Sequence, residues 1–225
     1  MQFTYYGHSC FLIEAGGKKL LFDPFISGNP LAKDIDINKI EADYILLSHG
    51  HGDHVADAPQ IAKNTGATLI GMLEVIGWME KQGCENVVAM NMGPYDAEFG
   101  RVRMVPAAHS NSLPDGSYGG DPAGFVVKMD EGSFYYTGDT CLIADMGMIP
   151  HYGQMDFAIM PVGGFFTMDV DDALIAAELC KADKVVGVHF DSFPPIKIDH
   201  EKAVNAFKAA GKELILPEIG KTYSL

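Results

Sequence analysis

The sequence contains few cysteines and no long apolar segment. Its four cysteines among 225 residues lie far apart and include no CxxC pair, which argues against a disulfide framework or a thiolate zinc site and favours reduced thiols in packed positions. No run approaches the roughly 18 consecutive apolar residues that a membrane span requires, and the first residues lack the pattern of a secretory signal. We therefore expect a cytoplasmic protein without membrane contacts.

Positive charge is also scarce. Sixteen lysines and arginines stand against 30 aspartates and glutamates, which gives a formal net charge of −14. Such a charge repels polyanions, so nucleic-acid binding would need a local basic patch. The sequence contains no cluster of lysine and arginine, and we expect no nucleic-acid partner.

Strand-length apolar runs alternate with helical patterns along the whole chain, and no linker, repeat or low-complexity segment interrupts them. This alternation predicts an α/β fold, and we expect a single domain over residues 1–225. The predicted elements are hairpins within 11–22, 97–105 and 124–136, buried strands at 44–47, 67–70, 86–89, 157–160 and 184–188, and helices near 57–64, 73–82, 170–181 and 200–210.

Four metal-ligand side chains lie within six residues directly after the buried strand 44–47, in His49-Gly50-His51-Gly52-Asp53-His54. An extended backbone points the first two imidazoles the same way, and the glycines permit a tight turn that brings in the aspartate and the last histidine. A polar loop with water-facing histidines is the alternative interpretation, but four ligands at this spacing favour a metal site.

Three further ligand-type residues each follow a predicted strand: His109 after 101–105, Asp139 after 133–136 and His189 after 185–188. In α/β folds, loops beyond strand ends form the clefts in which sites lie. For each residue alone, capping or a core hydrogen bond is as good an explanation as metal ligation. Their shared position favours ligation.

The motif at 49–54 resembles the HxHxDH signature of the metallo-β-lactamase superfold, and the later His, Asp and His match its remaining ligand positions in order. The resemblance implies a four-layer αββα sandwich of two similar halves with metals in the cleft between the sheet edges. It also implies how the ligands divide: one ion held by His49, His51 and His109, a second by Asp53, His54 and His189, and Asp139 bridging the two.

A closer resemblance covers nearly the whole chain. Gly7-His8-Ser9, the segment 163–169 and the segment 189–196 are similar to compact metal-dependent hydrolases related to ascorbate-phosphate lactonases. That pattern often has tyrosine after the last histidine, where this chain has Phe190, so a phenol has no role at that position. The resemblance places His8 near the cleft, in contact with substrate or metal, or hydrogen-bonded beneath the site. We leave His151 and His200 as surface or structural residues.

A dinuclear centre of this kind lowers the pKa of bound water to roughly 7 and so provides a nucleophile at neutral pH. Asp53 then orients the water or accepts its proton. We expect zinc, with manganese, iron or nickel as alternatives. Redox diiron members of the superfold carry Glu at the second histidine of the motif, so His51 favours hydrolysis over oxygen chemistry.

The predicted function is hydrolysis of a small-molecule ester, lactone, thioester or phosphoester. The alternatives are a phosphodiesterase or nuclease of the same superfold, and a non-catalytic metal-binding sensor.

Residues 167–169 precede a helix and could hold an anionic substrate group there, or simply cap the helix. Phe165, Phe166, Phe193 and Trp78 could line an apolar pocket or belong to the core. The sequence leaves open whether the chain forms a homo-oligomer.

Overall fold

Two seven-stranded sheets pack face to face in the computed structural model, which describes residues 1–225. The strands are β1 (Gln2–Gly7), β2 (Cys10–Ala15), β3 (Lys18–Phe22), β4 (Tyr44–Leu47), β5 (Thr68–Met72), β6 (Val87–Met90), β7 (Pro94–Ala97), β8 (Gly100–Pro106), β9 (Ala123–Met129), β10 (Gly132–Tyr136), β11 (Phe157–Pro161), β12 (Lys184–Val188), β13 (Glu213–Ile215) and β14 (Thr222–Ser224). The helices are α1 (Gly52–Val55), α2 (Ala58–Thr65), α3 (Leu73–Lys81), α4 (Val170–Leu179) and α5 (His200–Ala209), with 3-10 turns at Ile37–Lys39, Ala144–Tyr152 and Pro194–Ile196.

The two sheets have the same internal plan. The first has the order β14-β1-β2-β3-β4-β5-β6 and the second the order β13-β12-β11-β10-β9-β8-β7. In each, antiparallel hairpins lead into three parallel pairings. As a result β1, β3 and β4 run in one direction within their sheet, and β8, β10, β11 and β12 run in one direction within theirs. The ends of these strands therefore meet at one edge of each sheet.

Aromatic side chains fill the space between the sheets. Phe22 of β3 contacts Phe125 of β9 and Tyr136 of β10, with ring centroids 6.1 and 5.7 Å apart. Phe11 of β2 packs edge-on against Tyr136 at 5.0 Å. All four rings are completely buried, and edge-to-face pairs of this kind add to the stabilisation from apolar burial. This shared core fixes the relative position of the two sheets.

The outer faces of both sheets are covered by helices. Residues alternate along β10, so Phe134 and Tyr136 face the opposite sheet while Tyr135 packs on the helix side. There the small side chains of α4, including Ala173 and Ala177, allow a close approach to the sheet. On the first sheet, α3 packs against β5 and β6. The layer order is helix, sheet, sheet, helix, so the predicted αββα sandwich is confirmed.

The structure differs from the sequence predictions mainly at the chain ends. Strands β1, β13 and β14 were not predicted; β13 and β14 have only three residues each, too few for a periodic signal. All four cysteines are free, as predicted, but Cys141 is exposed, so its interpretation as a packing residue is wrong. No helix has both the length and the apolarity that crossing a bilayer demands.

The aromatic core between the sheets generates a stability prediction. Phe22→Ala leaves a cavity among closely packed buried rings, and we expect it to lower the free energy of unfolding by about 3–5 kcal/mol. The matched control is Phe165→Ala, since Phe165 is 79% exposed and its replacement should cost less than about 0.5 kcal/mol. Chemical denaturation of the metal-free proteins measures both, and equal losses would contradict the assigned core.

Candidate metal centre

Ser48 alone separates β4 from the HGHGDH segment. The segment passes from an extended backbone into the short helix α1. His51 is extended, with φ −61° and ψ 147°, and its carbonyl accepts from the backbone N–H of His54 at 2.9 Å. His49 and His51 therefore project from extended chain, whereas Asp53 and His54 project from the first turn of a helix. At Gly50, a Cβ would lie 2.6 Å from the terminal methyl of Leu113, so a larger residue there would require that side chain to move. Gly52 has open space around it.

The other three predicted ligands come from the second sheet, at the ends of β8, β10 and β12. Asp139 follows Gly138, whose φ of +63° and close approach to the Ala123 carbonyl exclude a side chain. His189 also has a positive φ, +53°, and its N–H donates to the carbonyl of His8 in the first sheet at 2.8 Å. The ligand-type residues thus reach one cleft from two facing sheets.

The ligand atoms converge around Asp139. His189 Nε2 and His54 Nε2 lie 3.0 and 3.2 Å from Asp139 Oδ2, and His109 Nε2 lies 3.8 Å from it. His49 Nε2 is 3.0 Å from His51 Nδ1. The structure brings all seven predicted ligands together, although their role as ligands stays a prediction.

Three groups of ligand atoms each lie within 4.8 Å of one another. One contains His49, His51 and His109, which is the first trio implied by the resemblance. A second contains the implied trio Asp53, His54 and His189 together with His8, and the third joins Asp139 to His49 and His54. Asp139 therefore lies between the two trios, where a bridging carboxylate would have to lie.

The donor set fits metal ions. His54 Nε2, Asp139 Oδ1 and His189 Nδ1 are buried and have no hydrogen-bond partner. A buried polar atom without a partner is costly. For His54 Nε2, which lies 3.2 Å from Asp139 Oδ2 within the cluster, a cation is a suitable partner. Imidazole nitrogens and carboxylate oxygens are ligands that zinc and the neighbouring transition metals accept.

The electrostatics of the cluster also suit a cation. Burial holds the pKa of His49 well below its usual range and lowers the pKa of His51 and His109, so these imidazoles are neutral and have a free lone pair. Burial opposes charge on His54, but the carboxylates of Asp139 and Asp23 outweigh it and raise its pKa well above the ordinary value. Positive charge is therefore stabilised between those two carboxylates.

Asp139 and Asp53 are both ionised. For Asp139, burial is outweighed by His189 and His54, which hold its pKa well below the usual range. For Asp53, burial is outweighed by the hydrogen bond from His8 and the charges of His54 and His8, and its pKa is lowered. Both carboxyl groups are in the form that binds metal.

Asp23 is a candidate site residue that the sequence analysis missed. Its buried carboxylate accepts hydrogen bonds from Ser48 N–H at 2.8 Å, Ser48 O–H at 2.5 Å, His54 Nδ1–H at 3.0 Å and Tyr136 O–H at 2.6 Å. Ser48 Oγ in turn lies 3.0 Å from His49 Nδ1. Carboxylates of this kind fix the orientation of metal-binding imidazoles. The signal was present in the sequence, since Asp23 directly follows the apolar strand β3.

A cavity of about 470 Å³ opens onto this cluster. The ligand-type residues His51, Asp53, His109, Asp139 and His189 contribute to its lining. Its outer walls are Phe166, Phe193, Pro195 and Ser110, and no lysine or arginine lines it.

The remaining sequence candidates lie elsewhere. Phe165 is exposed and does not line the cavity, and Trp78 packs on the core from α3. Asp169 accepts from the N–H of Asp172 and so caps α4 itself, which supports the capping interpretation of that helix terminus. His151 and His200 are exposed, and His200 pairs with Asp191 at 2.7 Å.

The comparisons with known proteins agree with this geometry. Residues 2–189 match the model of the β-lactamase superfamily domain. A UPF0173 metal-dependent hydrolase of Flavobacterium johnsoniae is 47% identical over 225 residues, with full coverage of both chains. One of Thermus thermophilus is 39% identical over 213 residues, covering 95% of this chain and 94% of the relative.

The chain belongs to the metal-dependent hydrolase family of the metallo-β-lactamase superfamily.

Solved structures of other proteins have a fold similar to that of this family member. Igni18, a metallo hydrolase of the archaeon Ignicoccus hospitalis, is 31% identical with a TM-score of 0.88, covering 100% of this chain and 98% of that one. An isothiocyanate hydrolase from Delia radicum gut bacteria shares the fold at 17% identity, with a TM-score of 0.82 and coverage of 100% and 99%. The assignment to the superfamily made from the sequence is confirmed.

The position of Asp23 generates a prediction about metal affinity. Asp23→Asn weakens the acceptor for His54 and Ser48, and we expect zinc affinity to fall about 10–100-fold, measured by competition with a chromophoric chelator. The control is Asp57→Asn, because Asp57 is also a buried carboxylate but accepts from Ile26 and Ser27, away from the imidazoles. Equal affinity in the wild type and Asp23→Asn would contradict the orienting role.

Proposed function

We propose that this metallo-β-lactamase family member is a hydrolase with a dinuclear metal centre that cleaves a small ester, lactone or thioester. The observation that carries the proposal is the convergence of two trios of ligand atoms on either side of Asp139, beside an accessible cavity. The fold alone does not decide the chemistry, since the diiron β-hydroxylase CmlA of Streptomyces venezuelae has a similar fold at 15% identity.

His49, His51 and His109 would hold one ion, and Asp53, His54 and His189 the other, with Asp139 shared. Bound divalent ions would make water acidic enough to attack at neutral pH and would polarise the carbonyl group of the substrate. We propose zinc, and metal analysis of the protein as purified distinguishes it from manganese, iron and nickel.

Asp53 has the position of a proton acceptor. Its side chain is 32% exposed and lines the cavity, whereas Asp139 is almost fully buried. Because Asp53 is ionised, one carboxylate oxygen can orient a water molecule or accept its proton while the other remains available as a ligand.

The cavity walls favour an uncharged substrate with an apolar group. Phe166, Phe193 and Pro195 offer apolar surface, and no lysine or arginine is placed to neutralise a phosphate. Bound metal ions would neutralise part of the charge of a phosphate, but phosphate recognition normally adds cationic side chains or backbone donors, and Asp169 already occupies the terminus of α4. A phosphodiesterase or nuclease is therefore the less favoured alternative.

We also propose a cytoplasmic location, supported by the four free cysteines, which are typical of a reducing compartment.

The first test is His51→Ala. Loss of one imidazole should lower metal content and reduce turnover by at least about 100-fold, measured by elemental analysis and by assays on an aryl ester, a lactone, a thioester and an aryl phosphodiester. His151→Ala is the control, since His151 is exposed and outside the cluster. Turnover of the phosphodiester alone would favour the alternative, and wild-type protein that carries two ions but cleaves nothing would support the sensor interpretation.

The second test concerns the cavity wall. Phe166→Ala removes apolar contact surface, and we expect kcat/KM to fall about tenfold for a phenylacetyl ester and to change little for the acetyl ester. Phe165→Ala provides a matched control, because the neighbouring ring is exposed and does not line the cavity. An equal loss on both esters would indicate that Phe166 acts on the centre rather than on the substrate.

A further inference from the structure

His8 is held beside the metal centre by its own backbone. It lies in the tight turn between β1 and β2, with φ +55°, a conformation that non-glycine residues adopt rarely and mostly where the surroundings enforce it. Its carbonyl accepts from Tyr5 O–H at 2.8 Å and from His189 N–H at 2.8 Å. The position of His8 is thereby tied to that of a predicted ligand.

Both ring nitrogens of His8 have defined neighbours. Nδ1 lies 3.0 Å from Ser192 Oγ, and Nε2 lies 3.2 Å from Asp53 Oδ2. The Ser192 hydroxyl donates to the carbonyl of Phe190 at 3.3 Å, so its oxygen is free to accept from His8 Nδ1–H. In this tautomer, Nε2 presents a lone pair towards a carboxylate oxygen. Two such acceptors repel each other unless a proton or a metal ion lies between them. The same contact is therefore a hydrogen bond while Nε2 carries the proton, and it offers two ligand atoms when a metal ion takes the place of that proton.

The same arrangement occurs at His49. Its Nδ1 lies 3.0 Å from Ser48 Oγ, and the Ser48 hydroxyl donates onward to Asp23. The Nε2 atom of His49 faces the cluster. A ligating histidine typically donates its second ring N–H to a neighbouring acceptor, which fixes the tautomer. The contact between His8 Nδ1 and Ser192 Oγ is of the same kind, so His8 is supported in the way that a ligating histidine is.

The distance between His8 Nε2 and Asp53 Oδ2 also fits two ligands of one metal ion. Two ligands bonded to one zinc ion at roughly 2.0–2.1 Å lie about 2.9–3.4 Å apart for angles between octahedral and tetrahedral. The 3.2 Å between His8 Nε2 and Asp53 Oδ2 falls within this range. The ligand atom of His8 also lies within 4.8 Å of those of His54 and His189, and its side chain is completely buried.

We propose that His8 is a fourth protein ligand of the second metal ion, together with Asp53, His54 and His189. The inference rests on the proposed dinuclear function. It makes the two ions unequal: the second has four ligands besides the shared Asp139, whereas the first has three. Open coordination positions belong to catalytic sites and closed ones to structural sites. The first ion is then the one that offers a position to substrate, and the second is bound more tightly.

The test uses Co²⁺ as the probe. Paramagnetic proton NMR of the Co²⁺-loaded wild type reports each ligating imidazole through a strongly shifted ring N–H resonance, identified by ¹⁵N-histidine labelling. We expect six such imidazoles, from His8, His49, His51, His54, His109 and His189. Five imidazoles, with His8 unshifted, would mean that His8 only holds Asp53 by a hydrogen bond, and would overturn the inference without affecting the dinuclear proposal.

His8→Asn provides the second measurement, because asparagine tolerates a positive φ but is too short to reach the ion. We expect Co²⁺ affinity at one of two sites to fall by more than about 100-fold, beyond the 10–100-fold typical of a supporting contact, with the other site unchanged in calorimetric titration. Wild-type affinity at both sites would overturn the assignment.

Two further variants complete the design. Ser192→Ala should weaken the same site about 10–100-fold while all six shifted imidazoles persist. His200→Asn is the matched control, since His200 is exposed and paired with Asp191, and it should bind as the wild type does. A wild-type protein that binds no Co²⁺ would instead contradict the proposed function itself.

Discussion

The arrangement of the metal centre depends on the buried carboxylate of Asp23. It accepts hydrogen bonds from the backbone and hydroxyl of Ser48 and from the ring of His54, which both follow β4 of the first sheet, and from Tyr136 in β10 of the second. Tyr136 is also part of the aromatic core between the sheets. One side chain thus couples the packing of the two sheets to the orientation of the imidazoles. A shift of one sheet relative to the other would therefore displace the imidazole of His54 from its position in the cluster.

Much of the fold and most of the candidate site could be predicted from the sequence. The strand β4 is an apolar run followed, after Ser48, by His49-Gly50-His51-Gly52-Asp53-His54, and both the periodicity and the ligand spacing are local signals. His109, Asp139 and His189 were found because each follows a strand. The rule works because the strands that carry them run in one direction, so their ends meet at one edge.

What could not be predicted depends on contacts between distant parts of the chain. The short strand β14 forms because it pairs with β1, with Gln2 opposite Ser224. A segment of three residues is too short for a sequence pattern that would predict this pairing. Asp23 was overlooked because a single aspartate after a strand is common in turns. Only the structure shows that it contacts the ring of His54, the hydroxyl of Ser48 and the hydroxyl of Tyr136. The Ser48 hydroxyl in turn lies beside the ring of His49. Phe165 and Phe166 are neighbours of one chemical type, yet only Phe166 reaches the cavity.

The pairing of β1 with β14 also has a consequence for the order of assembly during synthesis. The first half of the chain cannot complete its own sheet, because the edge strand is supplied by residues 222–224. Ile219 further packs over Gly7, beside the turn that carries His8. The HGHGDH segment is therefore synthesised before His109, Asp139 and His189, the residues that meet it in the folded protein, and before the edge strand that completes its sheet.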